Sequence, residues 1–192
     1  MNLKSILSYS FQSFYLAGSF LLLFIFLPTF YNLSIGIPLS VIGLVILISR
    51  LFDVISDFLI GYLSEKRIIS GRSKKNQILL GIIVFIFSLF GLYVIQSDNI
   101  YSFIFFYNLA LVSYSIAIIP YDSIVIDQKK ILKKRFRLAA IKEIFAILGV
   151  LSALIIPTVI SKLQGVDLLN PNVIKISAVS YTHLTLPTIP QV

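Results

Sequence analysis

The sequence contains no cysteine and only one histidine, His183. Disulfides, thiolate metal sites and cysteine nucleophiles are therefore excluded, and a single histidine argues against a His-rich zinc or di-iron centre. Charged residues are also scarce, at 12% of the chain, whereas 58% are apolar. Soluble domains carry about 25% charged residues, and disordered chains are poor in apolar ones. This composition indicates a folded membrane protein.

Most of the apolar residues fall in five stretches, approximately 11–31, 38–63, 78–96, 100–126 and 140–160. Each is about as long as the ~20 residues that cross a bilayer as a helix. We therefore predict an all-α polytopic membrane protein in which residues 1–178 supply about five complete transmembrane helices. The first stretch is not a signal peptide, because it is long and no small-residue cleavage site follows it.

The basic residues are unevenly distributed between these stretches. Of the 16 lysines and arginines, 13 precede the first stretch or lie in the loops after the second and the fourth. The positive-inside rule then predicts that the N-terminus and both loops are cytoplasmic. The net charge of +8 reflects this orientation, and we expect a lipid bilayer, not a nucleic acid, as partner.

The second stretch contains three charged residues, Arg50, Asp53 and Asp57. Their spacing places them on one helical face, and ionisable residues inside a membrane are functional candidates by default. Two carboxylates this close repel each other unless one is protonated, a cation binds between them or Arg50 compensates. With the hydroxyl of Ser56 they offer hard oxygen ligands for Na⁺ or a proton. The alternative is an Arg–Asp pair that only locks helices together.

The fourth stretch contains Pro120. A proline inside a helix leaves one backbone carbonyl without its hydrogen bond and kinks the helix, which transmembrane helices tolerate where they line a cavity. Asp122 follows it, and the sequence leaves open whether this carboxylate faces the cavity or the membrane interface. We predict that Tyr107 and Asn108 are interhelical hydrogen-bonding groups. Lys142 and Glu143 are more simply interpreted as an ion pair at the membrane interface than as functional residues.

Residues 9–160 contain a series of short motifs in a characteristic order. They are Phe30-Tyr31, Gly43, Arg50-Leu51-Phe52-Asp53, Ser56-Asp57, Gly61-Tyr62-Leu63-Ser64-Glu65, Gly71-Arg72, Ile119-Pro120-Tyr121 and the run from Arg137 to Gly149. Together they resemble the glycoside–pentoside–hexuronide:cation symporter family, a melibiose-permease-like branch of the major facilitator superfamily. The resemblance implies a truncated N-terminal six-helix half of such a transporter.

The resemblance also implies roles for individual residues. Asp53 and Asp57 would bind the coupling cation, Na⁺, Li⁺ or H⁺, with Ser56 and Ser115 as neighbouring polar ligands and Arg50 compensating charge. A cytoplasmic loop that latches the two transporter halves would include Gly61, Glu65, Gly71 and Arg72.

The sequence departs from this family at several positions. Phe58 stands where the family usually has proline, and the melibiose-type carboxylates of helices 1 and 4 are replaced by apolar residues, the latter by Ile118. Candidate solute contacts are therefore Asp122, Tyr121 and Lys142, the last at a position that is basic in sugar symporters.

The end of the chain differs in composition from the rest. Val179–Thr188 resembles the translation of a transposon-based sequencing adapter, so we interpret 179–192 as a non-native tail and assign no function to His183. The alternative is a genuine short C-terminal tail.

We therefore expect part of a secondary active transporter for the cation-coupled symport of a sugar or glycoside by alternating access, in a bacterial inner membrane. We expect no enzymatic activity and no cofactor beyond coupling Na⁺ or H⁺; the partners are the bilayer, the solute and a missing C-terminal half. A membrane prenyltransferase with an Asp-x-x-x-Asp magnesium–pyrophosphate site is one alternative, although that chemistry needs two such clusters. A non-transporting membrane scaffold is the other.

Overall fold

The computed structural model describes residues 3–69, 73–95, 99–127 and 132–185. Every regular element in these ranges is helical: α1 (Leu3–Leu21), α2 (Leu27–Ile35), α3 (Leu39–Ile69), α4 (Lys74–Phe90), α5 (Ile100–Asp127), α6 (Leu132–Gln164) and α7 (Pro171–Thr185). Two π-helical turns, Leu22–Phe26 and Gly91–Ile95, follow α1 and α4. The predicted all-α class is confirmed.

Five helical stretches of the described chain are long and apolar enough to cross a membrane: Ile6–Ile35, Leu39–Lys66, Lys74–Ile95, Ile100–Val125 and Arg135–Gln164. The helices continue beyond the apolar residues. For example, α3 ends at Ile69 and α6 begins at Leu132, where the sequence suggested 63 and 140. Lysine, arginine and glutamate are good helix formers, so the loss of apolar character does not end a helix.

The turn between α2 and α3 has a local cause. Gly36 adopts a left-handed conformation with φ of 80°, and its N–H donates to the carbonyl of Asn32. The side chain of Asn32 donates to the Ile37 carbonyl at 2.9 Å. Glycine is favoured at such a helix end because it has no Cβ, and Pro38 cannot extend the helical hydrogen bonding.

The chain forms two units, Met1–Leu44 with Ala140–Gln191, and Val45–Ala139. In the first unit α7 packs on α1 and α2. Helix α6 meets α1 at Gly149, where an added Cβ would collide with the Phe14 carbonyl. Tyr181 of α7 donates to the Gly149 carbonyl at 3.1 Å and lies in the segment interpreted as a non-native tail. That interpretation stays a prediction.

In the second unit α4 packs along α5. At Gly81, an added Cβ would lie 2.6 Å from the backbone nitrogen of Ala117. At Gly91, it would overlap the ring of Phe106. Small residues allow helix backbones to approach closely, which is a main source of packing between membrane helices.

Helix α3 reverses the polarity pattern of a soluble helix. Asp53 and Ser56 are each only 8% exposed. Its large apolar side chains are instead more than half exposed: Leu51, Phe52, Val54, Ile55 and Phe58. Apolar groups outside and carboxylates inside are the arrangement expected of a helix that faces lipid or another apolar surface.

Candidate functional site

The charged residues of α3 form a hydrogen-bonded ion pair. Nη1 of Arg50 lies 2.8 Å from Oδ2 of Asp53. Both residues belong to α3, so this pair does not itself join two helices. The alternative of an Arg–Asp pair that only locks helices together stays a prediction.

The second oxygen of Asp53 has a different environment. Oδ1 of Asp53 and Oδ1 of Asp57 are both buried and have no hydrogen-bond partner in the protein. Burying a carboxylate oxygen without a partner is costly. The two residues lie one helical turn apart on α3, and Asp53 and Asp57 interact electrostatically. This arrangement is suited to a small cation or a proton.

Ser56 lies beside these carboxylates. Its hydroxyl donates to the backbone carbonyl of Asp53 at 2.9 Å. Because the proton is used in that bond, the lone pairs of the Ser56 oxygen remain available to a cation. Across the described residues, no group of three or more His, Cys, Asp and Glu is placed to hold a metal ion. A metal cation here would therefore depend on neutral oxygens beyond the two carboxylates.

Asn108 ties α5 to α3 close to this site. Its Nδ2 donates to Oγ of Ser49 at 3.0 Å and to the carbonyl of Ile104 at 2.8 Å. Ser49 is buried and lies one helical turn before Asp53. The predicted interhelical hydrogen bond of Asn108 is present in the structure.

Side chains at the start of α4 contact both α3 and α5, at a distance along these helices from the Asn108–Ser49 bond. Ser64 of α3 donates to Oε1 of Gln77 at 3.0 Å, and Nζ of Lys74 donates to Oγ of Ser123 of α5 at 2.8 Å. Lys74 and Gln77 lie within one turn of each other. These contacts hold Ser64 and Ser123 at a similar depth.

The two sets of contacts define the register of α3 and α5. Ser64 lies 15 residues beyond Ser49, and Ser123 lies 15 residues beyond Asn108. Since helices rise ~1.5 Å per residue, α3 and α5 run side by side in the same direction over about 22 Å. Ser115 of α5 is buried, and this register puts it at the depth of Ser56 and Asp57.

Tyr107 is the residue of α5 that sequence reasoning placed incorrectly. Its side chain is fully buried, its ring stacks on Phe103 with centroids 5.7 Å apart, and its hydroxyl has no hydrogen-bond partner in the protein. Tyr107 interacts electrostatically with both Arg50 and Asp53. The predicted interhelical hydrogen bond of Tyr107 is therefore wrong. The sequence could not show this, because the orientation of the phenol depends on the register of two distant helices.

Comparison with known families identifies the class of protein. Residues 8–190 match the sequence profile of the family described as MFS/sugar transport protein. The chain belongs to this family. No curated protein matches the chain. The membrane and transport predictions are thus confirmed at the level of the family, and membership points to a transporter rather than to an enzyme such as a prenyltransferase.

The residues predicted to contact solute lie in both units of this MFS/sugar transport protein. Tyr121 is buried and Asp122 is exposed, both on α5. Lys142 lies on α6 in the other unit, with its Nζ 3.6 Å from Oε1 of Glu143. The Lys142 side chain is 14% exposed and that of Glu143 is 65% exposed. Lys142 is thus the more enclosed partner of the pair.

The predicted latch loop of the MFS/sugar transport protein is only partly within the described residues. Gly61 and Glu65 lie in α3, because this helix continues to Ile69. These two residues are therefore helical, and their role in a latch between transporter halves stays a prediction. Gly71 and Arg72 lie outside the described residues. A sequence-only prediction could not place this boundary, because the polar residues after 63 are compatible with a helix.

Proposed function

We propose that the chain supplies much of the N-terminal half of a secondary active transporter that couples entry of Na⁺ or H⁺ to uptake of a sugar or glycoside. Membership of the MFS/sugar transport protein family supports transport of a sugar. The observation that most supports cation coupling is that Asp53 and Asp57 each have a buried Oδ1 without a hydrogen-bond partner in the protein. The basic loops favour a cytoplasmic N-terminus, in a bacterial inner membrane.

The charges of the site support binding of a single ion. Two ionised carboxylates carry two negative charges, and Arg50 contributes one positive charge at 2.8 Å from Asp53. One negative charge remains, which a single monovalent cation or a single proton neutralises. A divalent ion would leave excess positive charge in a region of low dielectric, which is costly. The site therefore favours one Na⁺, Li⁺ or H⁺ for each transport cycle.

Neutralisation gives a physical reason for coupling. Transporters of this class alternate between states that open to opposite sides of the membrane, with the binding sites near the midplane. A ligand shifts such an equilibrium only by its different affinity for the two states. A cation bound between Asp53 and Asp57 would remove the cost of burying their net charge while the halves rearrange. Ser56 and Ser115 would add neutral oxygen ligands.

Tyr121, Asp122 and Lys142 are each proposed as a residue that contacts the solute. Hydroxyl-rich solutes are bound by side chains that both donate and accept hydrogen bonds. Lys142 and Tyr121 can donate, and Asp122 can accept from two sugar hydroxyls. Alternating access also requires a facing second half, so we expect the 192-residue chain alone not to transport.

Uptake measurements test this proposal. The complete gene product is reconstituted in proteoliposomes, and uptake of radiolabelled galactosides and glucosides is driven by an imposed Na⁺ or pH gradient. We expect Asp53→Asn to abolish the cation-dependent part of uptake, because the remaining charges no longer require a cation. Asp167→Asn, in an exposed segment between α6 and α7, is the matched control and should behave as wild type. Cation-dependent uptake that is unchanged in D53N would refute the proposal.

A further inference from the structure

The first turns of α6 carry a basic surface that the proposed transport function does not use. Residues 128–142 contain seven lysines and arginines and no acidic residue. Within this segment the structure describes the side chains of Arg135, Phe136 and Arg137, which we call the α6 patch. Phe136 is 72% exposed, Arg137 is exposed and Arg135 is half-buried. The α6 patch thus places an exposed aromatic ring between two guanidinium groups.

The exposed ring of the α6 patch lies on an open side of the helix. Leu138 follows the patch and is only 2% exposed. Residues two positions apart point to nearly opposite sides of a helix, so Leu138 marks the packed side and Phe136 the open side of this turn. Among the ion pairs in the described part of the chain, none includes Arg135 or Arg137. Both guanidinium groups are therefore available to an external ligand.

The length of α6 places the patch at the membrane surface. The membrane-capable part of this helix begins at Arg135 and runs for 30 residues to Gln164, which is about 45 Å of helix. The hydrocarbon core of a bilayer is only ~30 Å thick, and the bilayer measures ~40–45 Å with its headgroup regions. The first residues of this stretch therefore lie among the lipid headgroups.

The start of α5 provides a contrast within the same chain. Tyr101 lies in the first turn of α5 and is 75% exposed, but residues 96–107 contain no lysine or arginine. An exposed aromatic ring at the start of a membrane helix is thus not peculiar to Phe136. The positive charge beside the ring is what distinguishes the α6 patch, so its partner is expected to carry negative charge.

Anionic phospholipids match both parts of the patch. Arginine binds phosphate oxygens through paired N–H donors, and basic residues next to a membrane helix attract anionic lipids. At a membrane surface, phenylalanine enters the boundary between headgroups and acyl chains while arginine stays among the headgroups. A phosphatidylcholine molecule has the same phosphate, but its choline group cancels the charge, so we expect it to bind more weakly.

We propose that the α6 patch binds the headgroup of an anionic phospholipid such as phosphatidylglycerol. Arg137 contacts the lipid phosphate, the ring of Phe136 enters the boundary with the acyl chains, and Arg135 adds positive charge on the other side of the ring. Binding there anchors the start of α6 at a fixed depth in the bilayer. This inference goes beyond the proposed function, since it requires a membrane protein but no coupling cation.

Tryptophan fluorescence tests this inference, because the chain contains no tryptophan. Phe136→Trp introduces a single one, and the purified chain is reconstituted in phosphatidylcholine vesicles that contain a minor fraction of brominated lipid. Bromine quenches an indole only on contact. Quenching by brominated phosphatidylglycerol, compared with brominated phosphatidylcholine, therefore measures which lipid lies next to position 136. Tyr101→Trp, at the exposed ring without basic neighbours, is the matched control.

We expect F136W to be quenched more strongly by phosphatidylglycerol than by phosphatidylcholine, and Y101W to be quenched equally by both. Adding Arg137→Gln should lower the preference of F136W about fivefold, the contribution of one basic side chain near an anionic surface. Arg135→Gln should lower it less, because this side chain is half-buried. Lys162→Gln, at an exposed position near the other end of α6, should change nothing. Added salt should weaken the preference by screening.

Three results would overturn the inference. The first is equal quenching of F136W by the two lipids, or a preference that R137Q leaves unchanged. The second is loss of the preference on adding inorganic phosphate, which would assign the patch to a free anion instead of a lipid. The third is loss of all quenching of F136W in the complete gene product, which would show that protein covers the patch.

A second measurement uses the wild-type chain and does not depend on folding of a variant. Electron paramagnetic resonance of spin-labelled lipids separates the lipid that contacts protein from the more mobile bulk lipid. The wild-type chain should immobilise a larger fraction of spin-labelled phosphatidylglycerol than of spin-labelled phosphatidylcholine. Equal immobilised fractions of the two lipids would contradict the inference.

Discussion

The α4–α5 contact and the α3–α5 contact differ in their main interactions, although Lys74 of α4 also donates to Oγ of Ser123 of α5 at 2.8 Å. Along α4–α5, the absence of a side chain at Gly81 lets the helix backbones touch, and an added Cβ would lie 2.6 Å from Ala117. Between α3 and α5, the bond from Asn108 to Ser49 is 3.0 Å long and joins two side chains. The candidate cation ligands Asp53 and Asp57 lie on α3, the helix that is held by polar contacts.

This difference indicates that the α4–α5 pair gives structural support and that α3 carries the candidate site. Close packing of small residues is sensitive to any added volume, because interiors have little free space. Hydrogen bonds between membrane helices contribute only about 0.6 kcal/mol on average, so they can be exchanged when a ligand binds. We therefore interpret α4–α5 as the rigid part of this unit, and α3 as the helix whose contacts respond to the cation.

The largest effect is expected from Gly81→Ala. Its Cβ would lie 2.6 Å from the backbone nitrogen of Ala117 and 2.9 Å from its Cα, and backbone atoms cannot move aside locally. Overpacking of this kind costs about 1–3 kcal/mol. The free energy of unfolding, measured by titration with a denaturing detergent, should fall by that amount.

Gly61→Ala is the control for this prediction. An added Cβ at Gly61 meets no atom within 4 Å, and alanine is favoured over glycine inside a helix by about 1 kcal/mol. G61A should be neutral or stabilising. Equal destabilisation by G81A and G61A would show that the backbones of α4 and α5 are not closely packed at Gly81.

A smaller effect is expected from Asn108→Ala, which removes the bond to Ser49. Interhelical hydrogen bonds in membranes contribute up to about 1.7 kcal/mol, so the loss in unfolding free energy should be less than for G81A. The same variant should weaken the response to the coupling cation, because α5 no longer holds its position beside Asp53. Asn76→Ala, at an exposed position on α4, is the control and should change neither quantity. A loss in N108A that exceeds that in G81A would reverse the comparison.

The sequence predicted those features that depend on residues close together in the chain. The apolar stretches predicted a helical membrane protein, and the spacing of Arg50, Asp53 and Asp57 predicted that they share one face of a helix. The ion pair between Arg50 and Asp53 follows from the same spacing. These features depend only on helix geometry and on the cost of charge in an apolar medium.

The contacts between helices could not be predicted in the same way. Ser49 and Asn108 are separated by 59 residues, and their pairing depends on the register of α3 and α5. Gly81 and Gly61 both lie among apolar residues, yet only Gly81 faces another backbone at close range.

Cation binding to the purified chain is the most direct test of the central claim, that Asp53 and Asp57 of α3 form a monovalent cation site. Equilibrium binding of radioactive Na⁺ is measured together with proton uptake for wild type, D53N, Asp57→Asn and D167N. The charge balance predicts one monovalent cation for each wild-type or D167N chain and none for D53N or D57N. Binding by D53N and D57N that equals that of the wild type would contradict the account.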